Sequence, residues 1–401
     1  MAKSFLVINS SINSSWLLLV SFFLIVATSL KQSEAASYNV LSYGAKADGR
    51  TDSTMAFQRV WSSACGSAVP ATVYVPQGNF VLKPVVFTGP CKNRILFLIA
   101  GTLIAPSNYW SLGNSGYWIL FNKVTRVTVH GGTLNARGSG YWACKSSGKS
   151  CPVGARSISL EGSSNVVISG ITSMNSQNIH MAINNCMNVL IQNVRIKAPS
   201  QSPNTDGIHI RSSTGVTIAS SSFMTGDDCI SIGPGSKNVW IQRVVCGPGH
   251  GISVGSLAGN ANEEGVENVT VTGAVFTGTQ NGVRIKSWGR PSTGFARTIS
   301  FRNIIMKNVF NPIIIDQNYC PSNTNCPNQN SGVKISRVTY RNIKGTSATP
   351  VAMNFICSPT NPCSGIALQN IELKHLTAQA TSYCKNAGGS SRGIVVPRSC
   401  F

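Results

Sequence analysis

From Asn165 onward the chain alternates apolar and polar positions in short bursts. Each burst opens on Asn or Gly and continues with Val, any residue, and Ile or Val. Copies stand at Asn165-Val166-Val167-Ile168, Asn188-Val189-Leu190-Ile191, Gly215-Val216-Thr217-Ile218, Asn238-Val239-Trp240-Ile241 and Asn268-Val269-Thr270-Val271, with weaker ones near Ile299, Val333 and Ile366. A second series runs between them through Ile183, Ile208, Ile230, Ile252, Val283, Ile313 and Val351. Period-two alternation makes each burst a strand with one buried face. In the second series Ile208, Ile230 and Ile252 recur every 22 residues. Two strands in a repeat of that length describe stacked coils. The predicted fold is therefore all-β, a right-handed parallel β-helix. The Leu/Asn consensus of a leucine-rich horseshoe is missing, and the units are too short for propeller blades. Asn or Gly ahead of each strand fits the left-handed backbone of a coil corner.

The ends of the chain follow other patterns. Tyr38 to Gly49 reads as a short strand and an Asp48-Gly49 turn. Asp52 or Ser53 then caps a helix whose Phe57, Val60, Trp61 and Ala64 fall at i, i+3, i+4 and i+7. A lone helix ahead of a strand array is predicted to cap the open first coil, which otherwise exposes a sheet edge and the core. Strands follow at Val73–Val75, Phe80–Leu82 and Ile95–Ile99. The stretch 110–141, rich in Gly, Asn and aromatics, reads as loops, with one turn and strand at Gly131–Asn135. Gly138–Gly154 reads as an excursion stapled by Cys144 and Cys151, and the tail after Cys357 as a cap on the far end. Residues 1–35 read as a secretory signal peptide: Lys3, an apolar run from Trp16 to Ala27, then Ser33-Glu34-Ala35 at the cleavage positions. Lys31 and Glu34 close the apolar run too early for a comfortable membrane span. The expectation is cleavage after Ala35 or Ala36, no membrane association afterwards, and one catalytic domain over 36–401.

All 13 cysteines lie after the leader, which suits an oxidising, extracellular setting. Their spacing pairs Cys65 with Cys91, Cys144 with Cys151, Cys229 with Cys246, Cys320 with Cys326, Cys357 with Cys363 and Cys384 with Cys400, leaving Cys186 free. Irregular spacing and the lack of His within the pairs set zinc aside. Asn268-Val269-Thr270 is the one glycosylation sequon after the leader. The formal charge is +21. An excess of that size points to an anionic partner. Lys and Arg are scattered and no nucleic-acid-binding motif is present, so an acidic polysaccharide is expected and nucleic acid is not.

Acidic residues number only 12, six of them Asp, yet Asp206, Asp227 and Asp228 fall within 23 positions. Asp206, Asp228 and His250 each lie two residues before a strand anchor, so they are expected in one column over three coils spaced about 4.8 Å apart. Crowded carboxyls push one another's pKa values apart, so that one keeps a proton for a leaving oxygen while another activates water. The rival is a calcium or magnesium site on Asp206, Asp227 and Asp228. Arg284 and Lys286, on alternate positions one coil above His250, oppose a cation and suit a substrate carboxylate. No metal or cofactor is expected. Asp206 shares parity with core-facing Ile208, so a bend at Gly207 has to turn it outward.

Asn204-Thr205-Asp206, Gly226-Asp227-Asp228, Gly249-His250-Gly251 and Arg284-Ile285-Lys286 together resemble, in order and spacing, the polygalacturonase family of glycoside hydrolases (family 28). The resemblance runs from Tyr43-Gly44-Ala45-Lys46-Ala47-Asp48-Gly49 to the C-terminal cysteines, which look like the plant branch. It implies inverting hydrolysis of α-1,4-linked galacturonate in pectin, with Asp227 as general acid, Asp206 and Asp228 positioning and activating water, and His250 supporting the acid. It also implies that Arg284 and Lys286 hold a substrate carboxylate, with Asn204 and Tyr319 binding substrate and Gln317 a weaker candidate. The resulting expectation is a monomeric enzyme secreted to the cell wall, with internal cutting favoured over cutting from chain ends. A rhamnogalacturonan hydrolase, a calcium-dependent pectate lyase and a non-catalytic wall-binding protein are the alternatives.

Overall fold

The computed structural model describes residues 35–321, 323–376 and 378–401. Apart from Ala35, the predicted signal peptide lies outside the described residues. Residues 36–401 form one compact unit, a right-handed parallel β-helix. No described helix is long and apolar enough to cross a membrane.

One wall is an eleven-stranded sheet whose order follows the chain coil by coil. Its register stacks Ile208 on Ile230, Ile252, Val283 and Ile313 in turn. These side chains are buried in a continuous core, and the residues between them face outward. The second wall carries the Asn/Gly-initiated strands, with Val216 on Val239, Val269, Ile299, Val338 and Ile366. The predicted register holds until the coils lengthen. Val338 and Met353, rather than Val333 and Val351, continue the two columns. The reason is a disulfide-closed excursion at Cys320–Cys326, which delays the next strand.

Asparagine at the corners adopts the left-handed conformation in coil after coil, for example Asn188, Asn238 and Asn268 with φ of 56°, 55° and 54°. Outside the Gly class, Asn tolerates this region best. The amides also bond along the stack, Asn268 Nδ2 donating to Asn238 Oδ1 at 2.6 Å. Asn268 itself is exposed.

The helix Thr54–Cys65 seals the first coil. Trp61 packs on Phe87 and Phe121, and Phe57 on Phe80. Asp52, not the N-cap residue Ser53, accepts from the Thr54 N–H. All six expected disulfides are present, and Cys186 is free and buried.

Two expectations need correction. Besides the expected strand, Thr133–Asn135, the stretch 110–141 carries two more, Tyr117–Asn122 and Val127–His130. Trp118 and Ile119 are consecutive and both buried, which hides the alternation. The excursion 138–154 is stapled by Cys144–Cys151 as expected and contains a short helix, Ser139–Ser146. The tail after Cys357 continues both walls, Thr381–Lys385 pairing with Val351–Ile356 and Ala387–Val396 with Cys363–His375. Each middle coil also has a third strand, such as Arg195–Lys197 or Ser222–Met224. With one inward residue apiece, Ile196 and Phe223, these have no alternation to read.

Candidate active site

The outward positions of the eleven-stranded sheet form the floor on which the sequence-predicted residues gather. His209, Ser231, Ser253 and Arg284 are direct register partners on four successive coils. The three Asp lie in the turns leading into these strands.

Asp206 is partly exposed, outside the core. The close approach at Gly207 makes this possible: a Cβ there would stand 2.4 Å from the Cys229 carbonyl oxygen and 2.5 Å from the Phe223 ring. Gly207→Ala is therefore expected to lower stability by about 1–3 kcal/mol through overpacking. Urea unfolding measures it, and an unchanged midpoint would show that the turn has room to relax. Asp206 Oδ2 accepts from Ser231 Oγ at 2.7 Å. Burial first, then the charges of Asp227 and Asp228, hold its pKa well above the ordinary carboxylate range.

Asp228 has the opposite setting. It is 1% exposed. Oδ1 accepts from Arg284 Nη2 at 2.8 Å and Ser253 Oγ at 2.9 Å, and Oδ2 from Lys286 Nζ at 2.7 Å. Burial alone would raise its pKa. Lys286 and then Arg284 override that and hold the carboxyl below its usual range. Lys286 is tied in the same way: burial opposes its charge, but Asp228 keeps its pKa raised.

Asp227 is more open, with 22% of its side chain exposed. Oδ1 accepts from the Asp228 N–H at 2.8 Å and lies 3.2 Å from His250 Nδ1. Oδ2 faces Asn204 Nδ2 at 3.4 Å. The expected column of Asp206, Asp228 and His250 is thus shifted by one. His250 pairs with Asp227 through its side chain and through its N–H, which donates to the Asp227 carbonyl at 2.8 Å. The displacement arises where Gly251 takes φ 89° and leaves no room for a side chain against the Asn281 carbonyl.

Arg284 and Lys286 face away from core-facing Val283 and Ile285 as predicted, yet both are themselves buried. Their charges are already engaged by Asp228. Tyr319 closes over them, its ring centre 4.9 Å from Lys286 Nζ and 5.6 Å from Arg284 Cζ. Gln317 does not join the site. Its amide donates to the Val333 carbonyl and its oxygen accepts from the Ser358 N–H, so it braces a loop.

Two further groups escaped the sequence reading. Trp288 packs against Tyr319 with ring centres 5.3 Å apart, and Asp316 is the register partner of Lys286. Burial raises the Asp316 pKa. Both sit beyond register shifts or lone in sequence, where only the tertiary path reveals them.

Asp227, Asp228 and His250 place ligand atoms within 4.8 Å of one another, near enough for a cation. The donor set does not fit one. Both oxygens of Asp228 are already occupied by cationic side chains, and an ammonium and a guanidinium flank the position a metal would take.

The sequence profile described as "Glycosyl hydrolases family 28" matches residues 65–399. A polygalacturonase of Prunus persica is 56% identical over 367 residues, 91% of this chain and 93% of that protein. An exopolygalacturonase of Oenothera organensis is 41% identical, covering 87% of this chain and 98% of its own length. Among solved structures, a polygalacturonase from Erwinia carotovora superposes with a TM-score of 0.72 at 26% identity, over 90% of this chain and 98% of that one.

Proposed function

The chain belongs to glycosyl hydrolase family 28, and on that premise we propose that it cleaves α-1,4 linkages of polygalacturonate by inverting hydrolysis on this sheet. The observation that carries the reading is that three neighbouring carboxyls have three different surroundings. Asp228, pinned by Arg284 and Lys286, stays ionised and orients the water. Asp206, whose pKa is raised where that of Asp228 is lowered, is the more basic of these two and, once ionised, takes the proton of the water. Asp227, more open than Asp228, gives its proton to the leaving oxygen, and His250 supports that state from 3.2 Å. Proximity forbids all three from ionising together at low cost. Asp206 and Asp227 lie on neighbouring coils, and one coil is about 4.8 Å, less than the roughly 6.5–9.5 Å usual for inverting pairs. The water therefore enters to the side, between Asp206 and Asp228.

Substrate carboxylates are drawn by the formal charge of +21. The N–H groups that Arg284 and Lys286 do not give to Asp228 hold one of them, with Tyr319 and Asn204 lining the sugar. Internal cutting is the favoured mode. Cutting from chain ends is the second reading, favoured by the exopolygalacturonase relative. The product profile on polygalacturonate tests both. A ladder of saturated oligomers is expected, unaffected by a calcium chelator. Monomer alone would establish the second mode, and unsaturated, calcium-dependent products would overturn hydrolysis. Residues 1–35 act as a signal peptide and deliver a monomer to the cell wall. N-terminal sequencing of the exported protein is expected to begin at Ala36 or Ser37, and an intact Met1 would refute export by cleavage.

A further inference from the structure

Asp206 and Asp228 occupy equivalent places on successive coils. Each accepts a hydrogen bond from a serine one coil on, Ser231 for Asp206 at 2.7 Å and Ser253 for Asp228 at 2.9 Å. Each serine in turn meets one more side chain of its own column. For Ser253 it is Arg284, whose Nε donates to Oγ at 3.0 Å. For Ser231 it is His209, with Nδ1 2.8 Å from Oγ. The two carboxyls thus share one element of support, a donor behind a serine, an imidazole for Asp206 and a permanent cation for Asp228, and Asp228 is in addition bonded directly by Arg284 and Lys286.

The proton count fixes the direction of this chain. A hydroxyl has a single proton. When Asp206 is ionised, Ser231 gives it to Asp206, so His209 then donates from Nδ1–H to Ser231 Oγ, leaving a lone pair on Nε2. Nε2 makes no hydrogen bond among the described residues, and beside it stands Gly233, whose missing Cβ would come within 3.5 Å. The charged groups around the ring are Arg211 on its own strand, Arg156, Lys286 and Asp228, with Asp206 behind the serine. Burial first, and Arg211 next, push the imidazole pKa down to about 4. The ring is therefore neutral in mildly acidic surroundings, where the proposed reaction needs Asp206 ionised.

We propose that His209 is a positioning residue: through Ser231 it aims the Asp206 carboxyl, and because it donates without a charge it leaves Asp206, not Asp228, as the group that takes the proton of the water. The inference rests on the reading of Asp206 as the base. It also explains why two Asp in matched positions divide the work. Lys286 and Arg284, bonded directly to Asp228, make it a fixed anion, whereas a neutral donor behind Ser231 leaves Asp206 able to change state.

The test is the pH dependence of kcat and KM on polygalacturonate for seven proteins: wild type, Asp206→Asn, Ser231→Ala, His209→Phe, His209→Gln, His209→Arg and the double variant Ser231→Ala with His209→Phe. Asp206→Asn is expected to be inactive. His209→Phe removes the donor, so kcat falls roughly tenfold with KM little changed, and the acid limb of the profile moves to higher pH. Ser231→Ala moves the limb the same way, and combining it with His209→Phe adds little. His209→Gln restores a neutral donor and returns the limb towards wild type. His209→Arg introduces a cation and moves the limb to lower pH. A purely structural role would lower activity without moving the limb in opposite directions. If Asp206→Asn is inactive and the limb stays fixed in Ser231→Ala, His209→Phe and His209→Arg, the inference is overturned and the base assignment survives. If Asp206→Asn stays active, the base assignment fails and takes the inference with it. Thermal unfolding accompanies each variant. Should His209→Phe fail to fold, the shift in Ser231→Ala decides.

Discussion

Asp227→Asn is expected to lower kcat on polygalacturonate by about 10²–10⁴-fold, the usual contribution of a positioned general acid. The thermal transition should stay close to that of the wild type. The side chain is open enough for an amide of the same shape to replace it; its two shorter contacts, the Asp228 N–H and His250 Nδ1, both reach Oδ1, and only the 3.4 Å contact of Asn204 Nδ2 with Oδ2 is lost. Asn keeps an oxygen for these contacts but cannot deliver a proton to the leaving group. KM is expected to change little, because the interaction lost belongs to the transition state. Steady-state kinetics together with a melting curve make the comparison. Turnover within about tenfold of wild type would remove Asp227 from the acid role, since proton donation contributes more than that.

Asp228→Ala is expected to cost about 3–5 kcal/mol of stability, the penalty for leaving buried charges without their partner. Arg284 and Lys286 are 7% and 5% exposed and both point at Asp228. Simultaneous replacement of all three by apolar residues, Asp228→Ala with Arg284→Leu and Lys286→Met, is expected to recover most of that loss, because no unpaired charge remains. Urea unfolding of the single and triple variants reads the difference. Equal stabilities would mean that the cluster is not electrostatically coupled. The same cluster sets an acid limit. The folded-state pKa of Asp228 is depressed. Its contribution is therefore complete above the unfolded carboxylate pKa and is lost as pH falls through the lower, folded value. Asp206 works the other way. Its raised pKa contributes stability below the unfolded value, and that contribution disappears as pH rises through the folded one. The site thus loses stability at low pH through Asp228 and at higher pH through Asp206, and the two trends bracket the range in which one carboxyl can hold a proton while its neighbour is ionised.

Arg284 and Lys286 illustrate how far reading the chain alone can go. Their alternation with Val283 and Ile285 shows that they share a face, and their position one coil above His250 places them beside the carboxyls. Nothing in that spacing reveals that Asp228 absorbs both charges. That contact spans 56 and 58 residues and depends on Ser253 filling the coil between. His209 shows the same limit. It reads as one residue of an alternating strand, and its role appears only when Ser231 of the next coil comes within 2.8 Å. The pairing of His250 with Asp227 instead of Asp228 was hidden from the spacing, though the family resemblance implied it, because a glycine-rich turn does not preserve the count of residues before a strand.

What the sequence determined by itself is the architecture and the inventory. A two-residue period fixes which side chains enter the core, a repeat of twenty-odd residues fixes the stacking, and asparagine and glycine fix the corners. These are local constraints, repeated coil after coil, so each copy reinforces the others. The sequence also determined which carboxyls and cations meet on one wall. The tertiary structure decided what each group does there. The pKa of a carboxyl depends on burial and on charges a few ångströms away, and in a stacked fold those neighbours come from other coils. Asp206 and Asp228 are the same residue in equivalent turns; burial and the charges of Asp227 and Asp228 raise the pKa of the first, and Lys286 and Arg284 lower that of the second.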